Sequence, residues 1–164
     1  MKIQMLSVIF ALLAGQMALA SQHKWPTKAN PWDVTGQIGL YNTATGLGGL
    51  AAYHVLDDVV NDLDDALSVE FGLTYVYWNS GFYGNIVASG SAIEIPVMAR
   101  WDIYLSDKTW VVSPRAGLTY VTSQGLGFQL GASAMYPLDE RLAIRGGLSI
   151  GTYTTFAFGL NIAL

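Results

Sequence analysis

The sequence predicts an all-β chain, an eight-stranded antiparallel up-and-down transmembrane β-barrel with a polar lumen filled by side chains. Three observations carry that expectation. The composition is greasy for one domain: 164 residues are 52% hydrophobic and only 12% charged, about half the charged fraction of a soluble domain. The N-terminus reads as an export leader. The rest alternates with period two, and its charges fall on the face that a soluble barrel would keep apolar.

The leader comes first. Lys2 supplies a positive start, Ile3 to Leu13 form an apolar run broken only by Gln4 and Ser7, and residues 18–20 read Ala-Leu-Ala. That small-x-small triplet predicts a cleaved signal peptide over 1–20, with Ser21 as the first mature residue. The alternative, an anchoring helix, needs roughly 20 apolar residues, and this run is shorter. Residues 21–31, with Pro26 and Pro31, read as a polar periplasmic tail.

From Trp32 to Leu164 the alternation places eight strands at about 32–41, 49–56, 66–78, 92–105, 109–122, 126–136, 141–151 and 154–164. The clearest is 66–78, where Leu67, Val69, Phe71, Leu73, Tyr75 and Tyr77 oppose Ser68, Glu70, Gly72 and Thr74. The segment 91–105 repeats the arrangement, with Ile93, Ile95, Val97, Ala99, Trp101, Ile103 and Leu105 opposite Glu94, Met98, Arg100 and Asp102. The second strand alternates least cleanly. Turn-rich connections fall at 42–48, 57–65, 79–91, 106–108, 123–125, 137–140 and 152–153. With the tail in the periplasm, the short connections 106–108 and 137–140 lie on the periplasmic side and the long 79–91 lies outside, as such barrels require. Segment 57–65 is the exception, a nine-residue connection on the periplasmic side.

Charge placement separates a membrane barrel from a soluble one. Glu70, Glu94, Arg100, Asp102, Arg115, Arg141 and Arg145 all fall on the non-lipid face of their strands. A lipocalin-like barrel shows the inverse, apolar inside and charged outside. An eight-stranded barrel has just enough interior for side chains to fill, so these charges are expected to pair into a lumenal network. Such a plug is the structural reading; a gate that rearranges to pass small ions is the functional one. Trp32, Tyr41, Tyr53, Tyr77, Trp101, Trp110, Tyr120 and Tyr136 lie near strand ends and are expected to form two aromatic belts.

The signal peptide, the eight alternating strands, the lumenal charges and the terminal Gly-Leu-Asn-Ile-Ala-Leu resemble the small OmpA/OmpX-like outer-membrane barrels over residues 32–164. The resemblance implies a Gram-negative outer-membrane location and monomeric, porin-like architecture. It also implies contact with outer-membrane lipid and lipopolysaccharide, and passage through periplasmic chaperones and the barrel-assembly machinery. The assembly signal would be Phe156, Phe158, Leu160, Ile162 and Leu164. Members of that group usually end in an aromatic residue, and this chain ends in Leu164. The peptidoglycan-binding domain of longer members is missing, so no cell-wall anchor is implied.

Other chemistries are weakly supported. The chain has no Cys, which removes thiolate metal sites, disulfides and cysteine nucleophiles. A net charge of −4 gives nucleic acid no footing. The acidic run Asp57, Asp58, Asn61, Asp62, Asp64 and Asp65 has oxygen ligands but lacks calcium-loop spacing and its central Gly. It reads as a solvated turn with room for one helical turn over Val59–Leu63. Phe82 and Tyr83 in the segment 79–91 could touch a partner or fold back on the rim. The mature chain has only His23 and His54, neither in a His-x-Ser motif, so no nucleophile–base set is visible. No metal or cofactor is expected. The sequence therefore favours a non-enzymatic outer-membrane barrel with a structural, adhesion or surface-interaction role. A narrow gated pore is the alternative, and a lipid A-modifying enzyme is third.

Overall fold

In the computed structural model, residues 31–41, 44–78, 90–105, 110–151 and 154–164 are described. The leader 1–20, nearly all of the tail, and most of segment 79–91 with Phe82 and Tyr83 lie outside them.

A strand in hydrocarbon has no water for its peptide groups, so each must pair with a neighbour on both sides. The chain meets that demand with β1 (Trp32–Tyr41), β2 (Ala44–Asp57), β3 (Asp65–Trp78), β4 (Gly90–Tyr104), β5 (Val111–Val121), β6 (Gly125–Pro137), β7 (Leu142–Gly151) and β8 (Thr155–Ala163). Each pairs antiparallel with the next, and β8 returns to β1 to close the barrel. The closing register runs from Asp33↔Ala163 to Tyr41↔Thr155. Two rims result. The terminal rim holds the start of β1, the end of β8 and the β2–β3, β4–β5 and β6–β7 connections; the far rim holds the other four.

Two prolines sit inside strands without an N–H to donate. The β3–β4 pairing is interrupted between Phe71↔Val97 and Thr74↔Glu94, where Pro96 lies. The β4–β5 pairing is interrupted between Arg100↔Arg115 and Ile103↔Val112, where Pro114 lies. Each proline keeps its other neighbour, Thr119 for Pro96 and Ala132 for Pro114, so closure survives both gaps.

The second strand starts at Ala44, earlier than the expected 49. Gly46 and Gly48 fall in the expected turn 42–48, yet they pair in register with β1 and β3. At Gly48 a Cβ would lie 2.4 Å from Thr74 Oγ1 and 2.6 Å from the Leu73 carbonyl oxygen; close approach, not a turn, explains the glycine. A register shift between His54 and Leu56 explains the poor alternation at this strand's end. Both Val55 and Leu56 are consequently exposed. Beyond them, residues 58–64 form a turn without the helical turn anticipated over Val59–Leu63. The Asp65 carboxylate accepts from Val59 N–H at 2.7 Å and Val60 N–H at 3.2 Å, and Asp58 and Asp62 adopt positive φ. On the far rim the β5–β6 turn needs Gly125 at φ 86°.

The faces sort as the alternation predicts. Val97, Leu118, Phe128, Phe158 and Leu160 are exposed on the outer wall, while Glu70, Arg100, Asp102 and Arg145 are buried inside. A small apolar cluster of Val111, Met135, Ala143 and Ala163, backed by Tyr104, fills the lumen near the terminal rim.

This inside-out arrangement predicts depth-dependent sensitivity on the outer wall. Phe158→Arg, in mid-strand, is expected to cost about 2–4 kcal/mol in vesicles, and Leu164→Arg, at the terminal rim, about 0–1 kcal/mol. Urea unfolding of vesicle-refolded variants measures both; equal costs at the two depths would contradict the membrane orientation.

Candidate functional site in the barrel lumen

The site is built by parity. Odd-numbered positions of β1 and β5 and even-numbered positions of β3 and β4 point inward. That places Asp33, Glu70, Arg100, Asp102 and Arg115 in one layer, with Arg145 of β7 reaching it.

Arg100, fully buried, is its hub. Its Nη2 and Nη1 donate to the two Asp33 carboxylate oxygens at 2.5 and 3.1 Å, a bidentate pair from β4 to β1. Its Nε and Nη2 donate to Asp102 Oδ2 at 3.0 and 2.9 Å, and Nη1 reaches Glu70 Oε2 at 3.3 Å. Ser113 Oγ donates to the other Asp102 oxygen at 2.6 Å.

Glu70 is the second hub. Arg115 Nη1 donates to its Oε1 at 2.8 Å, and Arg145 Nη2 lies 2.6 Å from its Oε2. Glu70 thereby answers a local conflict. Arg100 and Arg115 are direct cross-strand partners, a like-charge pairing that destabilises a sheet unless a counter-charge intervenes. Three guanidiniums face the three carboxylates of Asp33, Glu70 and Asp102, so the layer is neutral. Neutral polar groups complete it: Asn161 Nδ2 donates to Asp33 at 2.6 Å and to Thr35 Oγ1 at 2.8 Å, and Arg145 donates to Thr35 and Ser133.

Two of the charges expected in this network stand elsewhere. Arg141 has lumenal parity, but β7 starts one residue later and Arg141 is exposed in the β6–β7 turn. Asp139 Oδ1 accepts from the Arg141 and Leu142 N–H groups at 2.7 Å each and ends the ladder there. Glu94 is lumenal and buried, yet it sits closer to the far rim, accepting from the Tyr41 hydroxyl and, at 3.4 Å, from Thr119 Oγ1. Tyr41 itself shares the inward parity of Asp33, so it belongs to the lumen and not to an aromatic belt.

The remaining aromatics face outward. Trp32, Tyr53, Trp101, Trp110 and Tyr136 lie toward the terminal rim, and Tyr77 and Tyr120 toward the far one. Trp32 packs on Tyr53 at 4.8 Å and on Phe71 at 6.1 Å, and Trp110 packs on Tyr136 at 5.0 Å. Trp101 Nε1 donates to Asp65 Oδ2 at 2.7 Å. Phe156, Phe158, Leu160, Ile162 and Leu164 line the outer face of the closing strand and its end.

Asp33 was missed as a network member although its alternation with Thr35 and Gln37 was readable. Its partner Arg100 is 67 residues away, and no sequence spacing announces that contact. His54 Nε2 pairs with Asp57 Oδ1 at 2.7 Å at the terminal rim. Among the described residues, no group of three or more His, Cys, Asp or Glu could hold a metal ion.

Removing one partner of a buried ion-pair cluster is costly because it strands the others. Glu70→Ala is expected to lower stability by about 3–5 kcal/mol, and Arg141→Ala by less than about 0.5 kcal/mol. Urea unfolding in vesicles distinguishes them, and a Glu70→Ala barrel as stable as the parent would refute the network.

No protein-family model matches the chain, and no curated protein matches it. Solved structures do. A barrel from the de novo design of transmembrane β-barrels superposes with a TM-score of 0.58 at 19% identity, covering 81% of this chain and 94% of the other. The designed barrel TMB2.3 gives 0.57 at 18% identity, covering 82% and 94%. Ail, the attachment invasion locus protein of Yersinia pestis, gives 0.46 at 11% identity, covering 80% and 93%. The designed barrels establish the likeness as one of fold: this chain is a closed eight-stranded antiparallel barrel of the transmembrane kind.

Proposed function

We propose that the chain is a non-enzymatic integral protein of the bacterial outer membrane, acting through its presence in the bilayer and through its exposed connections. Its role would be envelope integrity, adhesion or surface interaction. The observation that carries this reading is the pairing of an apolar outer wall with a lumen obstructed by a neutral ion-pair layer. An outer wall of that kind needs lipid around it. Asp33–Arg100 and Arg145–Glu70 bridges cross the lumen, an arrangement that favours the structural role over the narrow pore.

Other features support the same reading. The packed Trp32–Tyr53 and Trp110–Tyr136 pairs suit anchoring at one membrane interface. The apolar outer face of β8 suits recognition by periplasmic chaperones and the assembly machinery during export behind a cleaved leader. With each strand paired on both sides, no edge invites a second copy, so the barrel is proposed to be a monomer in contact with lipid and lipopolysaccharide. His54 faces Asp57 at the terminal rim, an arrangement that suits a polar rim contact better than a general base.

The test is planar-bilayer conductance of the refolded protein, paired with mass spectrometry of lipid A from cells with and without it. A silent bilayer and unchanged lipid A are expected. Reproducible ion-sized current steps would replace this reading with the pore, and a shifted lipid A mass would replace it with the enzyme.

A further inference from the structure

Between the ion-pair layer and the far rim the lumen opens into a recess of about 380 Å³, counting the solvent at its mouth. Glu70 and Arg115 form its floor, and Glu94, Tyr41, Thr74, Gln129, Ser149 and Thr155 are among its walls. Its electrostatics follow from the layer beneath. Arg100, Arg115 and Arg145 are balanced by Asp33, Glu70 and Asp102. Glu94 is the carboxylate left over, and among the described residues it has no cationic partner. Its contacts are the hydroxyls of Tyr41 and Thr119.

A second observation points to an occupant. Thr155 is 8% exposed and its Oγ1 has no hydrogen-bond partner; Arg115 is also 8% exposed and its Nε is unpartnered. Buried polar atoms left in this state cost free energy unless something in the cavity satisfies them. Both residues line the recess.

We infer that this recess is a binding site for one small monovalent cation, held by the Glu94 carboxylate and by neutral oxygens that include Thr155 Oγ1. The donor set selects the class. One carboxylate among hydroxyl and amide oxygens neutralises a single charge, whereas Ca²⁺ sites draw on several carboxylates and Mg²⁺ keeps a rigid octahedral shell. The ion's remaining water supplies an oxygen for Arg115 Nε–H. The Arg115 charge does not expel the ion, because Glu70 lies 2.8 Å from its Nη1. The chemistry is shared by an alkali metal ion and by a small ammonium ion.

The test is NMR of the whole barrel refolded in neutral-detergent micelles, titrated with KCl, NaCl, NH₄Cl or MgCl₂ at constant ionic strength set by choline chloride, whose cation is too bulky for the site. Saturable shifts confined to Glu94, Tyr41, Gln129 and Thr155 are expected. Saturation by K⁺ or Na⁺ assigns an alkali ion, and saturation by NH₄⁺ alone assigns an ammonium. Glu94→Gln should weaken binding at least about tenfold, equivalent to about 1.4 kcal/mol. Thr155→Val, which swaps the unpartnered hydroxyl for a methyl, should weaken it several-fold and carries the comparison if Glu94→Gln fails to fold. The absence of shifts as these cations replace choline, shifts that grow linearly without saturating, affinity unchanged in either folded variant, or preferential saturation by MgCl₂ would each overturn the site.

Discussion

In hydrocarbon, a peptide N–H or C=O without a partner costs several kcal/mol, and the last strand must therefore find the first. The nine-residue seam between β1 and β8 is the contact on which the rest depends. Once it forms, no edge strand remains, and the period-two rule divides every strand between an outer and an inner wall. The apolar outer wall, the polar lumen and the recess near the far rim all follow from that division. The seam is also stitched from inside, since Asn161 of β8 donates to Asp33 and Thr35 of β1.

The lumen shows how a narrow barrel accommodates charge. Isolated ions there would be expensive, but the Arg100, Arg115 and Arg145 guanidiniums meet the Asp33, Glu70 and Asp102 carboxylates across five strands. A register slip of one residue would turn each of these side chains toward lipid. The network therefore penalises wrong registers more than it adds to the stability of the right one, in keeping with the modest net worth of buried ion pairs. The two proline gaps illustrate the same tolerance: Pro96 and Pro114 each break pairing toward one neighbour, and the barrel stays closed.

Much of this was legible in the residues. The alternation in 66–78 and 91–105 assigned the faces of β3 and β4, because one buried side and one lipid side leave a period-two trace. Four features were not legible, each for a physical reason. The early start of β2 was hidden by glycines that resemble a turn, when at Gly48 the neighbouring strand leaves no room for a Cβ. Tyr41 looked like a belt residue because it ends a strand, but its parity with Asp33 turns it inward to Glu94. Arg141 carried lumenal parity one residue beyond the ladder, where the Asp139 carboxylate sets the strand's start. The partners within the site, such as Asp33 with Arg100, depend on barrel closure and have no local signature.

Closure in a membrane environment is most directly read from electrophoretic mobility with and without boiling. Protein refolded into detergent or lipid vesicles should migrate as a compact, heat-modifiable species when unboiled and shift to its extended position after boiling. A chain that stays soluble without detergent and migrates identically before and after boiling would contradict a closed barrel in lipid.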